Sequence, residues 1–304
     1  VAATNDHHFA TAIEKSVAGG AGGDAKSLQP GLGLQAQPAR LGASGDDQRI
    51  TRADSEPYNW LSHGRTYDEQ RFSPLSGITD ANIDRLGLAW YTELNSNRGI
   101  EATPIIVDGS MYVTGAWSIV HAIDARNGNL LWSFDPEVPR EWSKYACCDA
   151  VNRGVAVWQG RVYVGTLDGR LIAIDAVTGE QLWATQTTDK TFPYTITGAP
   201  RFIKGNVVIG NGGADYGVRG YVSGYEAKTG QRKWRFFTVP GDPAKGFAEE
   251  GESVMQMAAE TWSGEWWRTG GGGTVWNAMA FDPELNLLYI GVGNGTPWSH
   301  KQRS

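Results

Sequence analysis

The sequence has 304 residues with 27 basic and 33 acidic side chains, which gives a formal net charge of −6 at pH 7. This acidic balance argues against a surface that binds nucleic-acid phosphates. No apolar run approaches the roughly 18–20 residues that a membrane-spanning helix needs. The 40 glycines and 13 tryptophans combine turn formers with large aromatic side chains, a mixture typical of all-β chains with many tight turns.

The N-terminal region differs from the rest of the chain. Residues 1–55 are rich in Ala, Gly, Ser and Gln and show no sustained hydrophobic period, which predicts a poorly ordered arm. Residues 56–304 are predicted to fold. Within them, the segment from Thr79 to Leu86 is predicted to be a short helix, because Thr79 can cap its N-terminus and Gly87 can end it in the left-handed conformation.

A repeat with a period of 51 residues follows. Its signature is an eight-residue segment with Ala first, Gly fourth and Trp last, which occurs at 125–132, 176–183 and 227–234. The four strand signals of the first unit are Thr103–Val107, Met111–Thr114, Ile119–Asp124 and Leu130–Phe134. Hairpin turns are predicted at Asp108-Gly109 and, in the second unit, at Gln159-Gly160. Four strands per repeat of this length predict the blades of a propeller, and a solenoid of another kind is the alternative.

One unit is longer than the other two. From the turn glycine to the signature tryptophan there are 23 residues in the first two units and 29 in the third, from Gly205 to Trp234. The six additional residues fall near residues 211–217, between the second and third strands. Insertions in repeat arrays lie in loops, often on the binding face, which predicts a functional loop here. A drifted surface loop is the alternative.

Antiparallel connectivity predicts which loops share one end of the blades. The loops between blades and the loops between second and third strands lie at the same end, and they carry Glu101, Cys147, Cys148, Arg153, Thr197, Asp215, Trp276 and Asn294. Together these residues predict a polar, aromatic-lined pocket. Taken singly, several have a simpler role. Glu101 could be a solvated carboxylate and Arg153 an ion-pair partner of Asp149. Thr197 could be a turn cap, and Trp276 a core residue.

Two residues of this group could bind a hard metal cation, and the sequence lacks several common catalytic and metal-binding motifs. Asp215 and Asn294 offer oxygen ligands that suit a hard cation such as Ca²⁺. The sequence has no zinc-binding cluster and no Gly-X-Ser-X-Gly motif. The glycine run 270–273 is not followed by Lys-Ser/Thr, so it is not a P-loop.

The two cysteines, Cys147 and Cys148, are adjacent. Adjacent Cα atoms lie about 3.8 Å apart, below the roughly 4.4–6.8 Å that ordinary disulfides span. A bond between them would close a small ring that crosslinks nothing distant, so it has little stabilising role and is better explained as a surface for a ligand to lie against. A pair of buried thiols in a reducing compartment is the alternative.

These segments resemble the pyrroloquinoline-quinone (PQQ) dependent alcohol dehydrogenases of the bacterial periplasm. The resemblance runs from Tyr58 to the last residue and is carried by 147–154, 195–200, 211–220, 271–276 and 291–295. The repeated signature resembles that family's tryptophan docking motif, and residues 261–267 resemble the quinohemoprotein subgroup more than the methanol dehydrogenases. The resemblance implies an all-β, eight-bladed β-propeller of four-stranded antiparallel blades, about half of it present here as residues 56–304.

The resemblance also implies a cofactor site. The Cys147–Cys148 ring would stack on one face of PQQ and Trp276 on the other. The groups that match its hydrogen-bonding positions are Glu101, Arg153, Thr197 and the backbone at Gly213 and Ala214. Asp215 and Asn294 match the protein ligands of a Ca²⁺ ion, which would polarise the quinone carbonyl. A small alcohol would be the substrate, and electrons would pass to a cytochrome or to haem c in a C-terminal part.

Two departures from the family pattern affect the expected activity. The family has Glu where this chain has Asp215, which leaves the metal distance and identity open. The family's catalytic Asp and a cationic residue lie further along, so the chain is predicted to be a fragment whose general base lies beyond Ser304.

Two alternative functions remain. A non-catalytic tryptophan-repeat scaffold of the bacterial envelope does not account for the cysteine pair. In a PQQ-dependent sugar or polyol dehydrogenase the adjacent cysteines would normally be missing.

Overall fold

The computed structural model describes residues 45–248 and 254–302, which form β-sheets with short helices. Strands β1 to β14 run over Ile105–Val107, Ser110–Thr114, Val120–Asp124, Leu130–Phe134, Ala156–Trp158, Arg161–Gly165, Arg170–Asp175, Gln181–Gln186, Arg201–Ile203, Asn206–Gly210, Tyr221–Glu226, Arg232–Phe237, Met279–Asp282 and Leu287–Ile290. Helices α1 and α2 cover Asp47–Thr51 and Met255–Ala259. Single 3-10 turns occur at Ala53–Ser55, Ile83–Arg85, Ala116–Ser118, Arg140–Tyr145, Ala214–Tyr216, Pro243–Lys245, Trp266–Thr269 and His300–Gln302.

The strands form sheets that follow the sequence repeat. Strands β1–β4, β5–β8 and β9–β12 each make a four-stranded antiparallel sheet, and β13 pairs with β14. The first strand of each complete sheet is buried, and β5 contacts β9, so the first strands converge. The fourth strands β4 and β8 carry only exposed and partly buried residues, and β12 does so up to the buried Phe237. The predicted repeat of four-stranded antiparallel units is therefore confirmed as a propeller-type, all-β arrangement.

The predicted hairpin turns are confirmed and have a common backbone cause. Asp108 and Gly109 have φ values of 52° and 85°, and Gln159 and Gly160 have 42° and 74°. Two successive positive φ angles define the type I′ turn, whose twist matches that of antiparallel strands. Glycine takes the second position because it adopts a positive φ without the steric cost of a Cβ.

Neighbouring sheets meet through the signature tryptophans. Trp132 Nε1 donates to the carbonyl oxygen of Ala176 at 3.1 Å, and a Cβ added at Gly179 would lie only 2.8 Å from the indole ring. The next pair of sheets repeats both contacts: Trp183 Nε1 donates to Ala227 at 3.2 Å, and its ring lies against Gly230. Trp132 and Trp183 therefore each pack on bare backbone in the following sheet.

Two predictions for the N-terminal third are wrong. The segment Thr79–Leu86 is a series of turns with a single 3-10 turn at Ile83–Arg85, not a helix with a glycine cap. The predicted arm of residues 1–55 includes a folded part, because Asp46 caps α1 at 2.9 Å and Ile50 is buried. The rest of that predicted arm, residues 1–44, lies outside the described residues. In the described residues no helix is long and apolar enough to cross a bilayer.

We expect the Gly179→Ala substitution to destabilise the fold more than Gly205→Ala. Both glycines have similar positive φ angles, 75° and 80°, so both substitutions carry a backbone cost of about 1–2 kcal/mol. At Gly205 a new Cβ meets nothing within 4 Å, whereas at Gly179 it overlaps the ring of Trp132 and adds about 1–3 kcal/mol. Urea unfolding of both variants measures the difference, and equal losses would contradict the proposed packing role.

Candidate functional site

A cavity of about 250 Å³ lies at the end of the sheets where loops between blades and loops between second and third strands meet. Its lining residues are Tyr145, Ala146, Cys147, Cys148, Asp149, Val151, Arg153, Thr195, Thr197, Gly212, Gly213, Ala214, Asp215, Tyr216, Thr274, Trp276 and Asn294. Of the site residues predicted from the sequence, only Glu101 is not part of this lining. The predicted convergence of loops therefore agrees with the structure.

Backbone contacts between successive blades hold these loops in place. The amide of Thr103 donates to the carbonyl of Arg153 at 3.1 Å, and the amide of Arg153 donates to the carbonyl of Thr197 at 2.9 Å. At the next step, a Cβ at Gly198 would overlap the carbonyl oxygen of Trp276. Glycine is required at 198 because the two backbones approach so closely. These contacts place side chains from four blades next to one another.

Arg153 connects three of the predicted site residues. Its Nη2 lies 2.8 Å from a carboxylate oxygen of Glu101, and its Nη1 donates to Thr197 Oγ1 at 2.8 Å. The guanidinium carbon lies 4.9 Å from the centre of the Trp276 ring, within cation–π distance. Glu101 does not line the cavity itself, but it holds Arg153, which does. Asp149, the other candidate partner, pairs instead with Arg98.

The two walls of the cavity are the cysteine pair and Trp276. The sulfur atoms of Cys147 and Cys148 are paired as a disulfide, and both residues are exposed at the cavity. The side chain of Trp276 is 44% exposed. A large aromatic side chain in a folded core would be nearly covered, so the alternative of a core role for Trp276 is wrong in this structure.

The six-residue insertion forms the loop that carries Asp215. Residues 211–220 connect β10 to β11, and Ala214–Tyr216 is a 3-10 turn bounded by Gly213 and Gly217, both in the left-handed conformation. Asn294 Nδ2 donates to Asp215 Oδ1 at 3.1 Å, and Thr296 Oγ1 donates to the Ala214 carbonyl. The insertion and the segment after β14 therefore meet at the cavity, as predicted.

The donor set at this point suits a hard cation but is incomplete. Among the described residues there is no group of three or more His, Cys, Asp or Glu that could hold a metal. Asp215 supplies carboxylate oxygens, and Asn294 supplies an oxygen only if its amide turns by 180°, because Nδ2 now faces the carboxylate. Ca²⁺ takes six to eight oxygen ligands, so most of them must come from a bound molecule or water.

Several lining residues were not predicted as site residues from the sequence. They are Tyr145, Ala146, Asp149, Val151, Thr195, Gly212, Tyr216 and Thr274. The rings of Tyr145 and Tyr216 meet edge to face with centroids 6.4 Å apart, so they close the cavity between the disulfide and the inserted loop. Their positions in the sequence could have indicated this role, because Tyr145 lies two residues before Cys147 and Tyr216 directly follows Asp215.

Comparison with known proteins identifies the class to which this cavity and fold belong. A family model described as "Glucose/ethanol/alcohol dehydrogenase, beta-propeller domain", a PQQ family, matches residues 60–300. The chain therefore belongs to this family of PQQ β-propeller domains.

Individual relatives are similar over nearly the whole chain. The chain is 59% identical to quinohemoprotein alcohol dehydrogenase ADH-IIG of Pseudomonas putida, over 90% of this chain and 38% of that protein. It is 53% identical to quinohemoprotein alcohol dehydrogenase of Comamonas testosteroni, over 93% of this chain and 40% of the relative. The solved structure of the Pseudomonas putida enzyme superposes with a TM-score of 0.83, covering 88% of this chain and 39% of that one. The chain thus spans about two fifths of the length of these relatives.

We predict that Cys147 and Cys148 are joined by a disulfide in the mature protein, because a flat wall rather than two thiols lines the cavity. Mass spectrometry of the peptide with and without reductant should show a difference of two hydrogen masses. A Cys147→Ser variant, which cannot form the bond, serves as the control and should show none. Two free thiols in protein exported to an oxidising compartment would refute the assignment.

Proposed function

We propose that this chain is the N-terminal part of a PQQ-dependent quinohemoprotein alcohol dehydrogenase that oxidises small alcohols to aldehydes. The observation that carries the proposal is the cavity itself, in which the adjacent cysteine pair, the exposed ring of Trp276 and the Arg153 group line one space. Flat walls with a cation at the edge suit a planar anionic molecule. The proposal is further supported by the similar relatives, which are named quinohemoprotein alcohol dehydrogenases.

Each residue has a role that follows from its contacts. Cys147 and Cys148 would form one wall for PQQ and Trp276 the other. Glu101 and Thr197 orient the Arg153 guanidinium, whose remaining N–H groups would bind carboxylate or carbonyl oxygens of the cofactor. The backbone at Gly213 and Ala214 would supply further contacts. When bound, PQQ supplies the quinone that takes up a hydride from the alcohol carbon.

The metal proposed for the site is Ca²⁺, held by Asp215 and Asn294. Both side chains are exposed at the cavity and offer the hard oxygen ligands that Ca²⁺ prefers. The incomplete protein donor set fits a cation that shares its ligands with the cofactor. Asp215 is shorter than Glu by one methylene, and the glycines beside it allow the loop to move toward the metal at modest strain.

We further propose that the chain belongs to a longer protein with an eight-bladed ring. The chain spans only 38% and 40% of its relatives, and its described part holds three complete sheets and one pair of strands. Trp90 packs on Gly128 as Trp132 packs on Gly179, which supports a further blade on that side and the docking role of the signature. In this proposal the general base that removes the proton from the alcohol belongs to the part of the longer protein beyond Ser304.

The remaining features of the proposal concern the protein's partners and location. The word quinohemoprotein in the relatives' names supports a haem c group, or a cytochrome, as electron acceptor, and we propose a periplasmic location for the enzyme. The alternative of a non-catalytic tryptophan-repeat scaffold gives no role to the cavity with its cysteine pair and Arg153. A sugar or polyol dehydrogenase gives no role to the cysteine pair.

The proposed function is tested by alcohol oxidation with an artificial electron acceptor in the presence of PQQ and Ca²⁺. The full-length protein should oxidise small alcohols, and its activity should disappear when PQQ is omitted. Residues 1–304 alone should be inactive, because the chain lacks the general base proposed beyond Ser304 and catalysis without proton removal is slower by about 10²–10⁴. Full-length protein without PQQ-dependent turnover would refute the proposal, and robust turnover by residues 1–304 would refute the position of the base.

Asp215 should be required for metal binding in the full-length enzyme. We expect Asp215→Ala to abolish Ca²⁺-dependent activity, and Asp215→Glu to retain or tighten Ca²⁺ binding because the longer side chain reaches the roughly 2.3–2.6 Å that Ca²⁺ requires without loop movement. Calcium titration of the PQQ-reconstituted protein measures both. Asp189→Ala, which removes an exposed carboxylate outside the cavity, is the control. Calcium binding by Asp215→Ala equal to wild type would show that Asp215 is only a loop residue.

A further inference from the structure

Residues 45–71, here called the axial segment, contact the innermost strand region of all four sheets. One contact to each sheet is Trp60 with Ile106, Gly45 with Gln159 directly after β5, Glu69 with Arg201 and Tyr67 with Phe281. Three of them are backbone hydrogen bonds of 2.8–3.0 Å, and one is the ion pair of Glu69 with Arg201. The axial segment is therefore a common point of attachment for the four converging strands.

The same four strands lead directly from the site. Each of the contacts just described lies four to six positions after a proposed site residue, namely Glu101 before β1, Arg153 before β5, Thr197 before β9 and Trp276 before β13. A strand rises about 3.3 Å per residue and is stiff over this length. A shift of a strand against the axial segment is therefore passed on to the site residue at its other end.

The ion pair is the one attachment of these four that is made by charged side chains, and it is largely buried. Arg201 and Glu69 side chains are only 5% and 14% exposed, and a second bond joins Arg201 Nη2 to Glu69 Oε2 at 3.2 Å. The same guanidinium donates from Nη1 to the Ala199 carbonyl at 2.6 Å and from Nη2 toward the Asn277 carbonyl at 3.5 Å. Ala199 lies two residues after Thr197, and Asn277 directly follows Trp276. One planar group thus touches the backbone beside two residues of the cavity.

The surroundings identify Glu69 as the charge partner of Arg201. Burial, followed by the nearby charge of Arg201, lowers the pKa of His63 to about 4, so this imidazole is neutral at pH 7. His63 Nδ1 lies 3.1 Å from Arg71 Nη2 and 3.8 Å from Glu69, too far for a hydrogen bond to the carboxylate. Burial of Glu69 opposes its ionisation, but the charge and the hydrogen bonds of Arg201 outweigh it and hold the pKa of Glu69 below its usual value.

The backbone around Glu69 is strained, which is consistent with a segment shaped for its contacts. Arg65, Glu69 and Arg71 all have positive φ angles, of 72°, 55° and 55°. Non-glycine residues in this region cost about 1–3 kcal/mol each and persist only where surrounding contacts determine them. A Cβ at Gly64 would overlap Glu69, so the loop folds tightly on itself and fixes the carboxylate.

We infer that Arg201, held by Glu69, is a positioning residue that sets the spacing between Thr197 and Trp276 and so the position of the Trp276 wall of the cofactor cavity. The identity of the cofactor in this inference rests on the proposed function. The positioning role itself does not, because the contacts of Arg201 are all made by residues of this chain. Neither Arg201 nor Glu69 lines the cavity, so their action is through the backbone.

The test compares two variants of the full-length protein with wild type. Arg201→Lys keeps the buried positive charge beside Glu69 but cannot bond the carboxylate and both carbonyls at once, since an ammonium lacks the planar fork of a guanidinium. Asp168→Asn is the matched control. It removes a partly buried ion pair, of Asp168 with Arg170 at 2.8 Å, that lies at the turn between β6 and β7 and outside the cavity.

Two measurements separate positioning from simple stability. The first is the ¹⁹F resonance of Trp276 in cofactor-free protein labelled with fluorotryptophan, assigned by its loss in Trp276→Phe. The second is the dissociation constant of PQQ, with thermal unfolding recorded for every variant. We expect Arg201→Lys to shift the Trp276 resonance and to weaken PQQ binding by roughly 10- to 100-fold, the size of effect known for residues that orient the ligands of a metal. Asp168→Asn should lower the unfolding temperature and leave both measurements unchanged.

The outcomes distinguish this inference from the proposed function. If wild-type protein fails to bind PQQ, the proposed function is wrong, and the Trp276 resonance of the cofactor-free variants still tests the role of Arg201. An unchanged Trp276 resonance in folded Arg201→Lys overturns the inference, as does wild-type PQQ affinity of that variant when wild type binds. An equal resonance shift in Asp168→Asn also overturns it, because any lost ion pair would then have the same effect.

Discussion

The contact between the tryptophan of one sheet and the glycine turn of the next is the interaction on which the rest of the structure depends. The ring of Trp132 occupies the space that a side chain at position 179 would need, and Trp183 does the same at Gly230. Because close-packed interiors leave no room to slide, an indole against bare backbone fixes the separation of neighbouring sheets. Repeating the contact gives the two pairs among the first three sheets the same offset, which brings their first strands together and leaves the fourth strands outside.

Convergence of the first strands also explains the site. The loops before these strands are so close that their backbones bond to one another, and Arg153 can therefore reach Glu101 and Thr197 from different blades. Its guanidinium is oriented before any ligand arrives, which lowers the entropic cost of binding. Arg201 serves a different purpose further along the strands. It is buried, where an unpaired charge would be costly, and its ion pair with Glu69 offsets that cost.

The blades and their turns could be predicted from the sequence because their causes are local. A type I′ turn needs two successive residues with positive φ, and the pair Asp108-Gly109 is of the kind that adopts them readily. The helix predicted over Thr79–Leu86 failed for an equally local reason. The Asn82 side chain accepts from the Thr79 amide and donates to the Gly77 carbonyl, which stabilises a turn in place of helical hydrogen bonding.

The sequence by itself determined the repeat, the end of the blades where the loops meet and most of the residues that line the cavity, because strand alternation and loop order are properties of the chain. Only the tertiary structure decided which of those residues touch. In the folded chain Asp149 forms an ion pair with Arg98, and Arg153 forms one with Glu101. It also brought Glu69 to Arg201 across 132 residues of chain. No periodicity or motif encodes such pairs, because they form only where separate sheets converge and bury the groups together.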